Sequence, residues 1–153
     1  MNDNETLKGL GRFEGKVHVL PVSIYYEDTD LSGFVYHANY LRYMERGRTE
    51  CFRLAGISKM AGLEDDEPTA WAIRRIAVDY HRPARLDDVI EVRTTLTGLS
   101  GARLFATQQI TCAGMLLVEG RIEACMTTLT GRARRLPRYV VETLAPLLVA
   151  IET

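Results

Sequence analysis

Residues 25–56 read YYEDTDLSGFVYHANYLRYMERGRTECFRLAG, and a change of rhythm within them decides the fold. The front of the stretch is a polar, glycine-containing turn, Glu27-Asp28-Thr29-Asp30-Leu31-Ser32-Gly33. Beyond it, Tyr40, Leu41, Met44, Cys51, Leu54 and Ala55 recur at helical spacing and mark one broad apolar face. Arg42, Glu45, Arg46, Glu50 and Arg53 fall largely elsewhere on the wheel. This predicts a helix over residues 38–54, with Gly56 as its stop. Gly47 in a helix interior costs about 1 kcal/mol relative to Ala. A close approach of the helix to a sheet would explain it.

On either side the period changes. Residues 16–26 are rich in Val, Ile and Tyr and read as a strand, with Pro21 at an edge or bulge. Residues 58–68 are acidic and irregular, and read as a loop. Period-2 alternation then takes over. Ile76, Val78 and Tyr80 open it, and Ile90, Val92, Thr94 and Leu96 follow. Leu104, Ala106, Gln108 and Ile110 come after Ser100-Gly101, and Val118, Gly120, Ile122, Ala124 and Met126 after Ala113-Gly114. The segment from Arg138 reads as a short helix that Pro146 interrupts. Strand, helix, then four strands is an α+β order in which one sheet wraps one helix. Residues 1–15 are expected to be a flexible lead-in to a single domain over residues 16–153.

Composition narrows the function. The chain has 153 residues, 46% hydrophobic and 25% charged, enough for a packed core. The net charge of −1, from 19 basic and 20 acidic residues, gives no bulk attraction to nucleic acid or membrane. Cys51, Cys112 and Cys125 are odd in number and widely spaced, which argues against a disulfide framework or a zinc site. They read as small core residues kept reduced. No signal peptide and no apolar run approaching ~20 residues is visible. The expectation is a soluble cytoplasmic protein.

The densest chemistry lies in the turn. Asp28, Asp30, Ser32 and Gly33 match the opening of a calcium loop, but the twelfth position is Asn39 where a bidentate Glu is required. A catalytic reading fits better. A helix start offers unsatisfied N–H groups and a partial positive charge, which would polarise a carbonyl placed there. A carboxylate across from it could attack that carbonyl or activate water. Composition alone also allows Asp28 and Asp30 merely to shape the turn. His37 sits at the helix mouth and could bind substrate, orient Asp30 or carry a proton. His18 and His81 lack that context. Glu27 and Asp28, as neighbouring carboxylates, could raise the pKa of Asp30, and the sequence leaves that direction open.

The stretch YYEDTDLSGFVYHANYLRYMERGRTE, residues 25–50, resembles the signature of the hot-dog-fold acyl-CoA thioesterases. It is most similar to the bacterial subgroup encoded beside the Tol-Pal envelope genes, and more distantly to 4-hydroxybenzoyl-CoA thioesterase. The resemblance continues through YHRPARLDD at residues 80–88 and GRARRLP at residues 131–137. It implies a hot-dog fold, one long central helix wrapped by a five-stranded antiparallel sheet. It implies Asp30 as nucleophile or general base, the backbone N–H near His37 on the thioester oxygen, and Tyr26 in the same site. Arg82, Arg85, Arg132 and Arg134 become candidate contacts to the phosphates of coenzyme A, since arginines suit phosphates. Coenzyme A is then part of the substrate, and no metal or other cofactor is expected. Hot-dog proteins are usually homodimers or homotetramers, and an uncovered sheet edge points the same way. A hot-dog hydratase, or a non-catalytic module binding acyl-CoA or an envelope-associated partner, are the readings from other classes.

Overall fold

The computed structural model describes Gly9, residues 11–58 and residues 60–150. β1 spans Arg12–Glu14 and β2 Val17–Ser23. A 3-10 turn at Tyr26–Asp28 leads into α1, Asn39–Ala55. β3 (Thr69–Tyr80), β4 (Val89–Ser100), β5 (Arg103–Cys112) and β6 (Met115–Thr128) follow, and α2 covers Arg138–Leu144. The strands form one six-stranded sheet in the order β1-β2-β4-β5-β6-β3, with every neighbouring pair antiparallel.

This is the helix-in-sheet arrangement read from the sequence, with one strand more than expected. The sixth strand, β1, lies inside the segment expected to be loose. Its pairing is Arg12↔Val19 to Glu14↔Val17, reinforced by ion pairs of Arg12 with Glu91 (2.8 Å) and of Glu14 with Arg93 (2.8 Å). A strand of such length carries too little alternation to be read beforehand. Residues 1–8 and 10 of that segment lie outside the described residues.

Gly47 behaves as its cost suggested. A Cβ there would meet Val92 Cγ1 at 2.7 Å and Gln108 Nε2 at 3.0 Å, so the helix lies directly on β4 and β5. Gly56 takes φ 101°, and the amides of Gly56 and Ile57 close the helix end on Arg53 and Phe52. Tyr40, Tyr43, Met44, Cys51 and Phe52 are buried along α1. They meet alternating residues of the sheet, among them Ile90, Val92, Leu96, Leu104 and Ile110. Burial pushes the Cys51 thiol up to about 12, which fits an inert core residue. Pro146 sits in a 3-10 turn, Ala145–Leu147, directly after α2. Among the described residues no helix is long and apolar enough to cross a membrane.

β3 is the sheet edge opposite β1 and is mostly exposed. The backbone of α1 lies closest to β2 and β4, and the helix meets β3 through side chains, Tyr40 against Tyr80 (5.7 Å between centroids) and Phe52 against Trp71 (5.6 Å).

Candidate active site

The turn before α1 is held by its own side chains. Asp30 Oδ1 accepts from the Ser32 amide at 2.8 Å and from the Ser32 hydroxyl. The backbone closes with Gly33 N–H to Asp30 O (3.0 Å) and Asp30 N–H to Phe34 O (2.9 Å), and Gly33 takes φ 79°. An Asp-x-Ser-Gly sequence is suited to this, because Asp caps the amide two residues on and Gly tolerates the left-handed conformation. Val35 N–H then bonds Ala84 O (2.9 Å), which ties the turn to the β3–β4 connection.

Asp28 points elsewhere. Its Oδ2 accepts from the Tyr25 amide (2.8 Å), while its carbonyl accepts from Tyr36 N–H (3.0 Å) and from Asn39 Nδ2 (2.9 Å). The helix itself has no side-chain cap; the Asn39 and Leu41 amides bond Tyr36 O (2.9 Å) and Ala38 O (3.2 Å), which leaves the amides of His37 and Ala38 for a ligand.

A cleft of about 390 Å³ opens at this point, lined by Asp30, Ser32, Phe34, His37, Tyr80 and Arg82 among others. The two hydrogen bonds from Ser32, with a smaller contribution from the charge of His37, hold the Asp30 carboxyl below the usual carboxylate range. The neighbouring carboxylates therefore do not raise it. Asp28 is turned onto the backbone, and donors rather than acids surround Asp30. The ring of His37 lies between Tyr36, 4.6 Å between centroids, and Tyr80 at 6.3 Å. Its carbonyl accepts from the Tyr80 hydroxyl at 2.9 Å. Burial pushes the Tyr80 phenol up, so that hydroxyl keeps its proton. Tyr40 anchors the far side, its hydroxyl accepting from Ala84 N–H at 2.9 Å.

The residues singled out from the sequence divide into two groups. Asp30, His37 and Arg82 share the cleft. Arg85 lies beside it, with its guanidinium 4.6 Å from the centre of the Phe34 ring. Tyr26 is 81% exposed and is not part of the cleft wall. Arg132 and Arg134 follow the end of β6, whose Thr128 pairs with Thr69 at the opposite end of β3 from Tyr80. Twelve residues of β3 separate the two ends, about 35 Å. Arg134 already pairs with Glu67, and the Arg132 amide donates to Thr128 Oγ1 at 3.1 Å.

Ser32, Tyr80 and His81 line the cleft and were missed, His81 having been set aside for want of context in the sequence. Ser32 carried a readable signal, since Asp followed two positions later by Ser is a turn pattern with its own hydrogen bond. Tyr80 carried none, because its bond to His37 exists only once β3 passes the helix start.

Residues 32–119 match the family described as Thioesterase superfamily, more than half of the chain. The chain belongs to the thioesterase superfamily. It is 42% identical over 123 residues to the acyl-CoA thioester hydrolase YbgC of Escherichia coli O6:H1 (strain CFT073), covering 79% of this chain and 90% of that protein. Among solved structures, a probable thioesterase from Bartonella henselae aligns at 35% identity with a TM-score of 0.75, over 79% of this chain and 99% of that one. A thioesterase from Thermus thermophilus, solved with coenzyme A and zinc, aligns at 28% identity with a TM-score of 0.72, over 88% and 97%. The hot-dog fold and the thioester-hydrolysing class of this enzyme both follow.

Proposed function

We propose that this thioesterase hydrolyses acyl-coenzyme A thioesters in the cleft between Asp30 and the start of α1. The observation that carries the reading is the convergence there of an ionised carboxylate and an uncapped helix start. The thioester oxygen lies against the backbone N–H groups near His37, where charge develops as the carbonyl is attacked. Asp30 attacks as nucleophile, giving a mixed anhydride that water opens, or it draws the proton from an attacking water. Oδ1 is occupied by Ser32, so Oδ2 is the oxygen that acts. Either route ends with thiolate leaving as coenzyme A and the acyl group as free acid. Single turnover in 18O-labelled water tests the covalent route: label in Asp30 marks an anhydride that water opened at the Asp30 carboxyl.

His37 orients the substrate or Asp30, and Tyr80 holds the His37 carbonyl in place. Arg82 and Arg85 receive the phosphates of coenzyme A on the cleft side, and no further cofactor takes part. Arg132 and Arg134 act from a second copy, and Tyr26 from the turn that carries Asp30. If two copies pair their β3 edges antiparallel, the Thr69 end of one meets the Tyr80 end of the other. The same pairing covers the exposed edge, so the working form is a homodimer or a homotetramer of such dimers. The chain works in the cytoplasm, as a member of the Tol-Pal-associated subgroup. Thiol release from a panel of acyl-CoAs, run beside Asp30→Asn, tests the central claim. Turnover that disappears in the variant supports it, and an Asp30→Asn enzyme of full activity removes Asp30 from the mechanism.

A further inference from the structure

Halfway along α1 the protein buries a positive charge. Arg48 is 7% exposed, and its Nη1 donates to Gln108 Oε1 at 2.8 Å. Gln108 turns its own amide to Met44 O (2.8 Å) and Thr94 Oγ1 (2.9 Å), so it supplies one neutral acceptor and no charge. Among the described residues Arg48 makes no ion pair within 4.0 Å. Burial disfavours its charge, and the field of Glu45 opposes that effect from a distance. A guanidinium has five N–H donors, and a buried one is ordinarily matched by a carboxylate.

Arg48 lines a cavity of about 350 Å³ whose other walls are mostly apolar, with Phe52, Trp71, Ile73 and Leu104 among them. Glu45 is the acid on its rim and already accepts from Thr49 Oγ1 at 2.8 Å. This cavity and the Asp30 cleft both border α1 and β3. Tyr80 borders the cleft, Ile73 and Trp71 border the cavity, and Ile76 and Val78 pack into the core between them. From His37 to Arg48 is about 16 Å along the helix axis, the extended length of an acyl group of on the order of ten carbons.

We propose that this cavity is the distal acyl subsite, and that Arg48 recognises a carboxylate at the far end of the acyl group. The substrate class is a coenzyme A monothioester of a medium-chain dicarboxylic acid. The proposal rests on the placement of the thioester at Asp30 given above. The apolar walls take the methylene chain, and the terminal carboxylate accepts from the unused donors of Arg48. Glu45 repels an anion at the rim, so the favourable position is the floor beside Arg48. A methyl terminus leaves the buried charge without a counter-ion.

The test uses two coenzyme A thioesters of equal length, about ten carbons, one ending in carboxylate and one in methyl. Affinity by calorimetry and kcat/KM by thiol release are measured for the intact protein, Arg48→Met and Ala70→Leu. The intact protein is expected to favour the carboxylate form by at least ~10-fold in both readouts, the scale of a hydrogen bond to a charged group. Arg48→Met collapses that ratio. Ala70→Leu narrows the cavity without touching the Arg48–Gln108 pair, and lowers turnover of both long substrates relative to acetyl-CoA. It keeps the proposal exposed to failure even where Arg48→Met does not fold. Equal values for the two termini in the intact protein overturn the proposal, as does a preference that survives in Arg48→Met. A shift in the dimer dissociation constant of Arg48→Met, with no preference in the intact protein, overturns it in favour of a second copy covering the cavity. Binding preference without hydrolysis of either thioester sustains the subsite and defeats the acyl-CoA hydrolase reading instead.

Discussion

The first turn of α1 and its third turn face opposite demands. At the first, the backbone is uncapped, Asp30 and His37 are exposed, and the contacts are polar and local to the preceding turn. At the third, Gly47 lets the helix touch Val92 and Gln108, and Arg48, Gln108 and Thr94 are all buried. An exposed carboxylate adds little to stability because solvent screens it, so the first turn is free to be shaped by chemistry. A buried polar network must be satisfied or it costs the whole domain, so the third turn is shaped by packing. Activity and stability should therefore be separable along one helix.

The largest effect expected on the open side is that of Asp30→Asn, a loss of at least ~100-fold in kcat, as for removal of an acid–base or nucleophilic group. The thermal midpoint should stay within a degree or two, because the Asn oxygen still accepts from Ser32. A comparable fall in the midpoint would break the separation. On the closed side, Gly47→Val should cost about 3 kcal/mol in urea unfolding by driving a side chain into Val92. Purified folded variant should keep the pH profile of the parent. A neutral result would show that the helix can lift off β4.

Tyr80→Phe removes the hydroxyl that holds the His37 carbonyl and should lower kcat by about 10-fold, the value of one hydrogen bond, with KM little changed. A change confined to KM would mark Tyr80 as a binding group instead. The smallest effect concerns pH. Asp30 is lowered chiefly by Ser32, so its ionised form persists to acid pH and activity is lost only as pH falls through that lowered value. Ser32→Ala removes one of the two donors, so the acid limb of kcat/KM should move to higher pH, toward the ordinary carboxylate value. An unmoved limb would mean that the observed ionisation belongs to another group.

Much of this was legible beforehand, for reasons tied to particular residues. The helix was written in the recurrence of Tyr40, Met44 and Cys51 and ended by Gly56, both local signals. The period-2 runs around Ile90–Leu96 and Val118–Met126 carried β4 and β6, although the strands extend further because their ends alternate weakly. β1 escaped notice because three residues carry too little alternation, and the side chains it meets, Glu91 and Arg93, lie far along the chain. The Asp30 turn was visible as a turn, yet the direction of its pKa depended on where Asp28 points. The two arginine groups, Arg82 with Arg85 and Arg132 with Arg134, looked alike as sequence and stand at opposite ends of β3.

The sequence by itself determined the elements, the α+β class and the identity of the chemical groups at the helix mouth. It could do so because periodicity, turn chemistry and helix stops act over a few neighbouring residues. Only the tertiary structure decided which groups meet. It turned Asp28 onto the backbone, brought Tyr80 to His37, parted the arginines along β3 and left Arg48 buried beside an apolar cavity. Those outcomes depend on strand order and on where the helix rests, and contacts between residues distant in the chain are set by the packing of the whole.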